Sequence, residues 1–269
     1  MTTASTCTMP PALVLHIPHA SLVVPSDVAA GFLLTPEQIE HELLVMTDHY
    51  THELFALPSD LATTVAFPVS RIIVDPERFT EDADEAMARK GMGVIYERTA
   101  SGQPLRRPPS APERRGLLAR FYEPHHAALT TAVQAALDAH GACLVLDGHS
   151  FPARALPYED DQSSDRPDIC IGTDTTHTPA WLRDFALRTF KELGWSVAVD
   201  RPFAGALVPM RFYGKERRVR AIMVEVNRGL YVDEQSGAKL PGFDGVRERV
   251  EGAVRGIAAH AGSRQEEER

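Results

Sequence analysis

ACLVLDGHS, residues 142–150, decides how the chain is read. Ala142 to Leu146 is apolar without a break, the pattern of a strand covered on both faces. It then runs into Asp147, Gly148 and His149, where a buried strand normally stops in a turn of Gly, Asn or Ser. Two remote stretches repeat the pattern. LVLHIPHAS (13–21) ends on His16 and His19, and IMVEVNRG (222–229) holds Glu225 and Arg228. Ligand sites of open α/β sheets form in the crevice at strand ends. Three polar strand ends brought together are what a metal-dependent hydrolase needs.

Outward from these three, strand signals fall at 12–17, 63–67, 71–75, 142–147, 168–172, 196–200 and 219–227. Helical signals alternate with them. Thr35-Pro36-Glu37-Gln38 combines an N-cap, a proline at the first position and a capping-box glutamine. That helix is predicted to run to about residue 57, with a possible restart at Thr47-Asp48. Glu123-Pro124 starts a helix to Ala139, and Pro179 starts one that stops at Gly194. The last, roughly 243–260, carries Val246, Val250, Val254 and Ile257 at helical spacing. Alternating strands and helices predict an α/β fold, three layers α/β/α.

No Gly/Ser-rich linker divides the chain, so one catalytic domain is expected over 12–262. Residues 1–11 read as a flexible lead and 263–269 as a disordered tail. Residues 80–113, charged at first and then rich in Gly and Pro, read as a long functional loop, a lid or a surface insertion. The formal charge of −9 argues against nucleic acid as a partner, because phosphate contacts need a basic surface. Cys7, Cys143 and Cys170 form neither a disulfide framework nor a CxxC pair. With no signal-peptide pattern and no apolar run of membrane-spanning length, the expectation is a cytoplasmic protein with no membrane partner, monomeric or a small homo-oligomer.

Each polar residue has a plain alternative beside its chemical one. His19, held after Pro18, is a zinc-type imidazole or a turn cap. Asp48 is a metal ligand or the cap of a restarted helix. Asp147 could hold His149 through a hydrogen bond. Glu225, flanked by apolar residues, is costly unless paired or functional, and desolvation would raise its pKa into the range of a general base. Arg71 and Arg78 flank SRIIVDPER (70–78) and suit a carboxylate or an oxyanion, or else form surface ion pairs. His125-His126 opens a helix, and one of them could support the site. HExxH, GxSxG, P-loop and GxGxxG patterns are absent.

Taken together, PHAS (18–21), TDHYTHELF (47–55), SRIIVDPER (70–78), YEPHHAAL (122–129), LVLDGHS (144–150), RPDICIGT (166–173) and IMVEVNRG (222–229) resemble the N-formylglutamate amidohydrolase family over about residues 12–230. The resemblance implies a branch of the zinc carboxypeptidase and aspartoacylase group: a mixed, mostly parallel sheet between helices, one Zn2+, and hydrolysis of a small N-acyl amino acid in amino-acid breakdown, histidine's included. It places the metal on His19, Asp48 and His149, with His16 the alternative ligand. It makes Glu225 the general base and Arg71 the carbonyl-polarising arginine. Arg78 would hold the substrate carboxylate, with Asp75, Glu77 and Arg228 at the substrate end. Asp147 and His126 would support the ligands. The family usually has Asp-Leu-Asn-Arg where this chain has Asp75-Pro76-Glu77-Arg78. Glu77 facing the pocket would repel an anionic group or pair with Arg78. The rival readings are a zinc carboxypeptidase or longer-chain N-acyl amino acid deacylase, and a non-catalytic small-molecule binder.

Overall fold

The computed structural model describes residues 9–267. The path begins with β1 (Leu13–Ile17), three helices α1 (Ser26–Ala29), α2 (Pro36–Met46) and α3 (Thr51–Leu54), and β2 (Thr63–Ala66). After a long excursion come α4 (Ala111–Leu117), α5 (Glu123–His140), β3 (Cys143–Phe151), β4 (Ile169–Gly172), α6 (Ala180–Glu192), β5 (Val197–Val199) and β6 (Val219–Asn227). A small hairpin of β7 (Val232–Asp233) and β8 (Ala238–Lys239) precedes the closing helix α7 (Phe243–Glu267). The six-stranded sheet has the order β2-β1-β3-β6-β4-β5. It is parallel except where β4 meets β6. This is the mixed, mostly parallel α/β sheet the sequence predicts.

Strand alternation assigns the faces. Leu13, Leu15, Ile17, Leu144, Leu146, Ile222, Val224 and Val226 point to the face packed by α6 and α7. Val14, Cys143, Val145, Val219 and Ala221 point to the other face, against Leu129 and Val133 of α5. Continuing that second parity along each strand puts His16, Asp147, His149 and Glu225 on the α5 face, toward the C-terminal ends of three adjacent strands. The polar residues thus interrupt one apolar face and leave the other intact.

β3 does not stop at Asp147. It runs through Gly148 and His149 to Phe151, in register with β6 throughout. Gly148 is therefore no turn glycine. A Cβ there would meet the Phe55 ring at 2.8 Å and Ile17 Cδ1 at 2.9 Å. Its missing side chain lets α3 close on the sheet, and that contact locks the register of His149.

The excursion between β2 and α5 corrects three expectations. Ile72, Ile73 and Val74 are fully buried but lie in turns, not in a strand. A short β-branched run has no period of its own that separates the two states. They centre a second core, with Phe67, Met92, Val94, Ile95, Tyr96, Leu105 and Phe121, so the middle of the 80–113 segment packs as a cap while 81–84 and 110–113 stay exposed. Its end is helical: Ser110 and Glu113 make a capping box for α4, which passes through a π-helical turn at Leu118–Tyr122 directly into α5. The Ser110…Glu113 signal is legible but stands behind a proline run. At the other end of the chain, α7 continues to Glu267, past the helix end expected near 260 and into the segment read as a disordered tail, because Arg, Gln and Glu are good helix formers. Of the expected lead, residues 1–8 lie outside the described residues. Among those described, no helix is long and apolar enough to cross a membrane.

One acid ties α2 to the cap. Glu42 is buried and accepts the Ala100 N–H at 2.7 Å. Burial pushes its carboxyl up from 4.5 to about 7, against the pull of that hydrogen bond. Below the lower value both folded and unfolded chains hold the proton. Between the two values the unfolded chain releases it first, so stability falls as pH rises; above about 7 the loss is complete. The gap is worth roughly 3 kcal/mol at most. Glu42→Gln is expected to raise the urea midpoint at pH 8 and to have little effect at pH 4. Equal midpoints for variant and parent at pH 8 would remove this role.

Candidate active site

Residues from both cores meet above the C-terminal ends of β1, β3 and β6. His19 follows β1 and is buried. Asp48 follows α2, its backbone N–H donating to the His19 carbonyl at 3.0 Å. Asp48 Oδ2 lies 3.1 Å from His149 Nδ1 and 3.7 Å from His19 Nδ1, and it also accepts the Ser150 N–H at 3.1 Å. Around a tetrahedral ion with bonds of about 2.0–2.1 Å, neighbouring donors stand roughly 3.3 Å apart. His19, Asp48 and His149 are therefore already at ligand spacing. His19 Nδ1 is buried and has no hydrogen-bond partner, while its other nitrogen is occupied. A divalent cation would take up that lone pair, so two imidazoles and a carboxylate fit a zinc-type ion.

Each imidazole is held from behind by a carboxylate, an arrangement that fixes tautomer and direction. His19 Nε2–H donates to Asp75 Oδ1 at 2.9 Å, and His149 Nε2–H lies 3.0 Å from Asp147 Oδ1. Burial opposes charge on His149, but Glu77 and Asp147 hold its pKa well above the ordinary value. For His19, burial and Arg71 work downward and Asp75 and Asp48 upward, with a net rise. Burial would raise the Asp48 carboxyl, yet its hydrogen bond with His149 and the nearby His19 imidazole hold it far below the usual range.

His16, the alternative ligand, has both ring nitrogens engaged. Nδ1–H donates to Asp147 Oδ1 at 2.8 Å, and Nε2 meets His125 Nε2 at 2.8 Å. With Glu77 and Asp147 it forms a second cluster of metal-capable donors. Its nitrogens are occupied where His19 has one free, so the first cluster is the better cation site.

The base candidate stands next door. Glu225 is the register partner of His149 across β3 and β6, so their backbones are about 4.8 Å apart. Burial pushes its carboxyl up to about 8, with His149 opposing. Glu225 Oε2 is buried without a hydrogen-bond partner. Arg71 approaches from the other side, its Nη1 3.9 Å from Asp48 Oδ1. Asp75 and Tyr96 hold it: Nη2–H donates to Asp75 Oδ2 at 2.8 Å, and the Tyr96 hydroxyl donates to the same oxygen at 2.5 Å.

Several residues take a different place from the one read in the sequence. Asp75, expected at the substrate end, is wholly buried and bound by His19, Arg71, Tyr96 and the Glu77 N–H. It positions the site instead. Arg228 is buried too, and its Nη1 donates to the Val45 and Thr47 carbonyls, fixing the backbone before Asp48. His126 Nε2–H donates to the Pro76 carbonyl and the Tyr122 hydroxyl to that of Arg78, so the start of α5 holds the 76–78 segment. Glu77 turns to His149 Nε2 at 3.2 Å rather than to Arg78. Tyr96 and His125 were not singled out as site residues. Tyr96 had only its apolar neighbours Val94 and Ile95 as a signal, and His125 shared its helix start with His126. Beside the cluster a cavity of about 330 Å³ is lined by Glu77, Arg78, Tyr122, His126, Asp147 and the 204–213 loop.

The family model of N-formylglutamate amidohydrolase matches residues 11–232. The chain belongs to this family. An N-formylglutamate deformylase of Pseudomonas aeruginosa is 26% identical over 230 residues, 83% of each chain. The crystal structure of N-formylglutamate amidohydrolase from Ralstonia eutropha JMP134 superposes with a TM-score of 0.83 at 26% identity, covering 94% of each chain. A gene product of Agrobacterium tumefaciens shares the fold, with a TM-score of 0.67 at 18% identity over 95% of this chain and 92% of its own. The matched span, residues 11–232, coincides with the 12–230 over which the motifs resemble the N-formylglutamate amidohydrolase family.

Proposed function

We propose that the chain hydrolyses the amide bond of an N-formyl amino acid, releasing formate and the amino acid, with one divalent ion on His19, Asp48 and His149. The observation that carries this is Glu225: a buried carboxylate oxygen without a partner, on the strand beside His149. The chemistry a bound zinc ion supplies is a water of lowered pKa and a polarised carbonyl. Glu225 takes the proton from the attacking water and delivers it to the leaving nitrogen. A carboxyl with a pKa near neutrality can do both at small cost. Arg71, fixed by Asp75 and Tyr96, donates to the oxyanion as the carbonyl becomes tetrahedral. Arg78 borders the cavity and its Nε, 3.7 Å from Asp75 Oδ2, makes no hydrogen bond, so its guanidinium receives the substrate carboxylate.

The small cavity favours a compact N-acyl amino acid over a peptide, against the carboxypeptidase reading. The test is formate release from a panel of N-formyl amino acids by the purified chain, with its metal content measured in parallel. Turnover that follows bound metal is expected. A chain that cleaves no N-formyl or N-acetyl amino acid in its metal-loaded form would instead support the non-catalytic binder.

A further inference from the structure

Resting on the reading just given, we infer that the preferred substrate is a monoanion: an N-formyl amino acid whose side chain is uncharged and apolar, not a dicarboxylate such as N-formylglutamate. The argument is the charge inventory of the cavity. Of the residues that line it, Arg78 is the one lysine or arginine, and Glu77, Asp147 and Asp174 are acids. An amino-acid carboxylate on Arg78 occupies that cation. A second carboxylate would need a second one, and Arg71, the other guanidinium of the site, does not line the cavity and is hydrogen-bonded by Asp75, which stands only at 3.7 Å from Arg78 Nε.

The acids are not free to move aside. Asp147 is bound by His16 and the Leu207 N–H, and Asp174 accepts the Thr176 and His177 N–H groups. Glu77 lies against His149 beside the reacting end. The remaining wall is apolar: Phe79, Leu207, Val208, Met210, Tyr213 and Met223. Such a wall accepts an aliphatic or thioether side chain and offers a second carboxylate no cation.

The experiment compares kcat/KM for N-formyl-L-methionine, N-formyl-L-leucine and N-formyl-L-glutamate on the metal-loaded enzyme. Placing like charges together costs several kcal/mol, so the neutral substrates are expected to lead by roughly 100-fold or more. A lead for N-formylglutamate, or parity, overturns the inference and leaves the proposed function standing. Cleavage of none of the three, nor of any other N-formyl amino acid, overturns both. Met210→Arg supplies the missing cation from an exposed position on the wall. It is expected to shift the preference toward N-formylglutamate by about tenfold or more. An unchanged ratio in a folded, active variant would show that the wall does not face the side chain, and would overturn the inference as well.

Discussion

Glu225→Gln is expected to lower kcat by about three orders of magnitude, with KM little changed and the metal still bound. General acid–base catalysis contributes roughly 10²–10⁴-fold, and this chain has one group placed for both proton transfers. Glutamine keeps the shape and removes the proton traffic. Because the buried carboxyl has no partner and its pKa is pushed up to about 8, the parent already bears a desolvation cost there. The neutral variant should therefore be at least as stable as the parent, which separates lost chemistry from lost fold. Single-turnover formate release, metal content and thermal unfolding on the same preparation check all three. A variant retaining more than a tenth of kcat would take the base role from Glu225.

The second large effect is expected at Asp48. Its Oδ2 is shared by His19, His149 and the Ser150 N–H, so one carboxylate organises the whole ligand set. Asp48→Ala is expected to abolish metal retention through gel filtration and to reduce turnover by at least about 10³-fold. Exhaustive chelation of the parent should produce the same inactive state, reversible by added zinc. The variant also leaves two buried imidazoles beside each other with no anion between them. Removing one member of a buried ionic group costs about 3–5 kcal/mol. Stability should fall in the metal-free state, unlike in Glu225→Gln. Full zinc occupancy in Asp48→Ala would move the metal to the cluster of His16, Glu77 and Asp147.

The layer order and the polar strand ends were legible because apolar continuity, capping boxes and the positions of Gly and Pro are local signals. The irregular backbone at 71–75 was not, because Ile72, Ile73 and Val74 bury themselves in a core whose other half lies about twenty residues downstream. The same distance hid the duties of Asp75 and Tyr96. The ligand trio was reached through the motif resemblance, since spacing alone left each of its members with an ordinary alternative. Arg228 misled because an arginine after a polar strand end looks the same whether it faces substrate or holds backbone carbonyls. The substrate question turned on the direction of Glu77, which no spacing encodes.

The division into two cores has a thermodynamic consequence. His149 and Glu225 belong to the sheet; Arg71, Asp75 and Glu77 belong to the cap, whose core is separate. The reaction site is the seam between them. Any ligand that binds there stabilises the joined form by RT ln(1 + [L]/Kd). The seam has no such term in the unliganded chain. The hydrogen bond from His19 to Asp75 crosses it and ties the sheet side to the cap. Resistance to heat and to proteolysis near residues 92–105 then becomes a readout of occupancy at a site that this segment reaches through Tyr96.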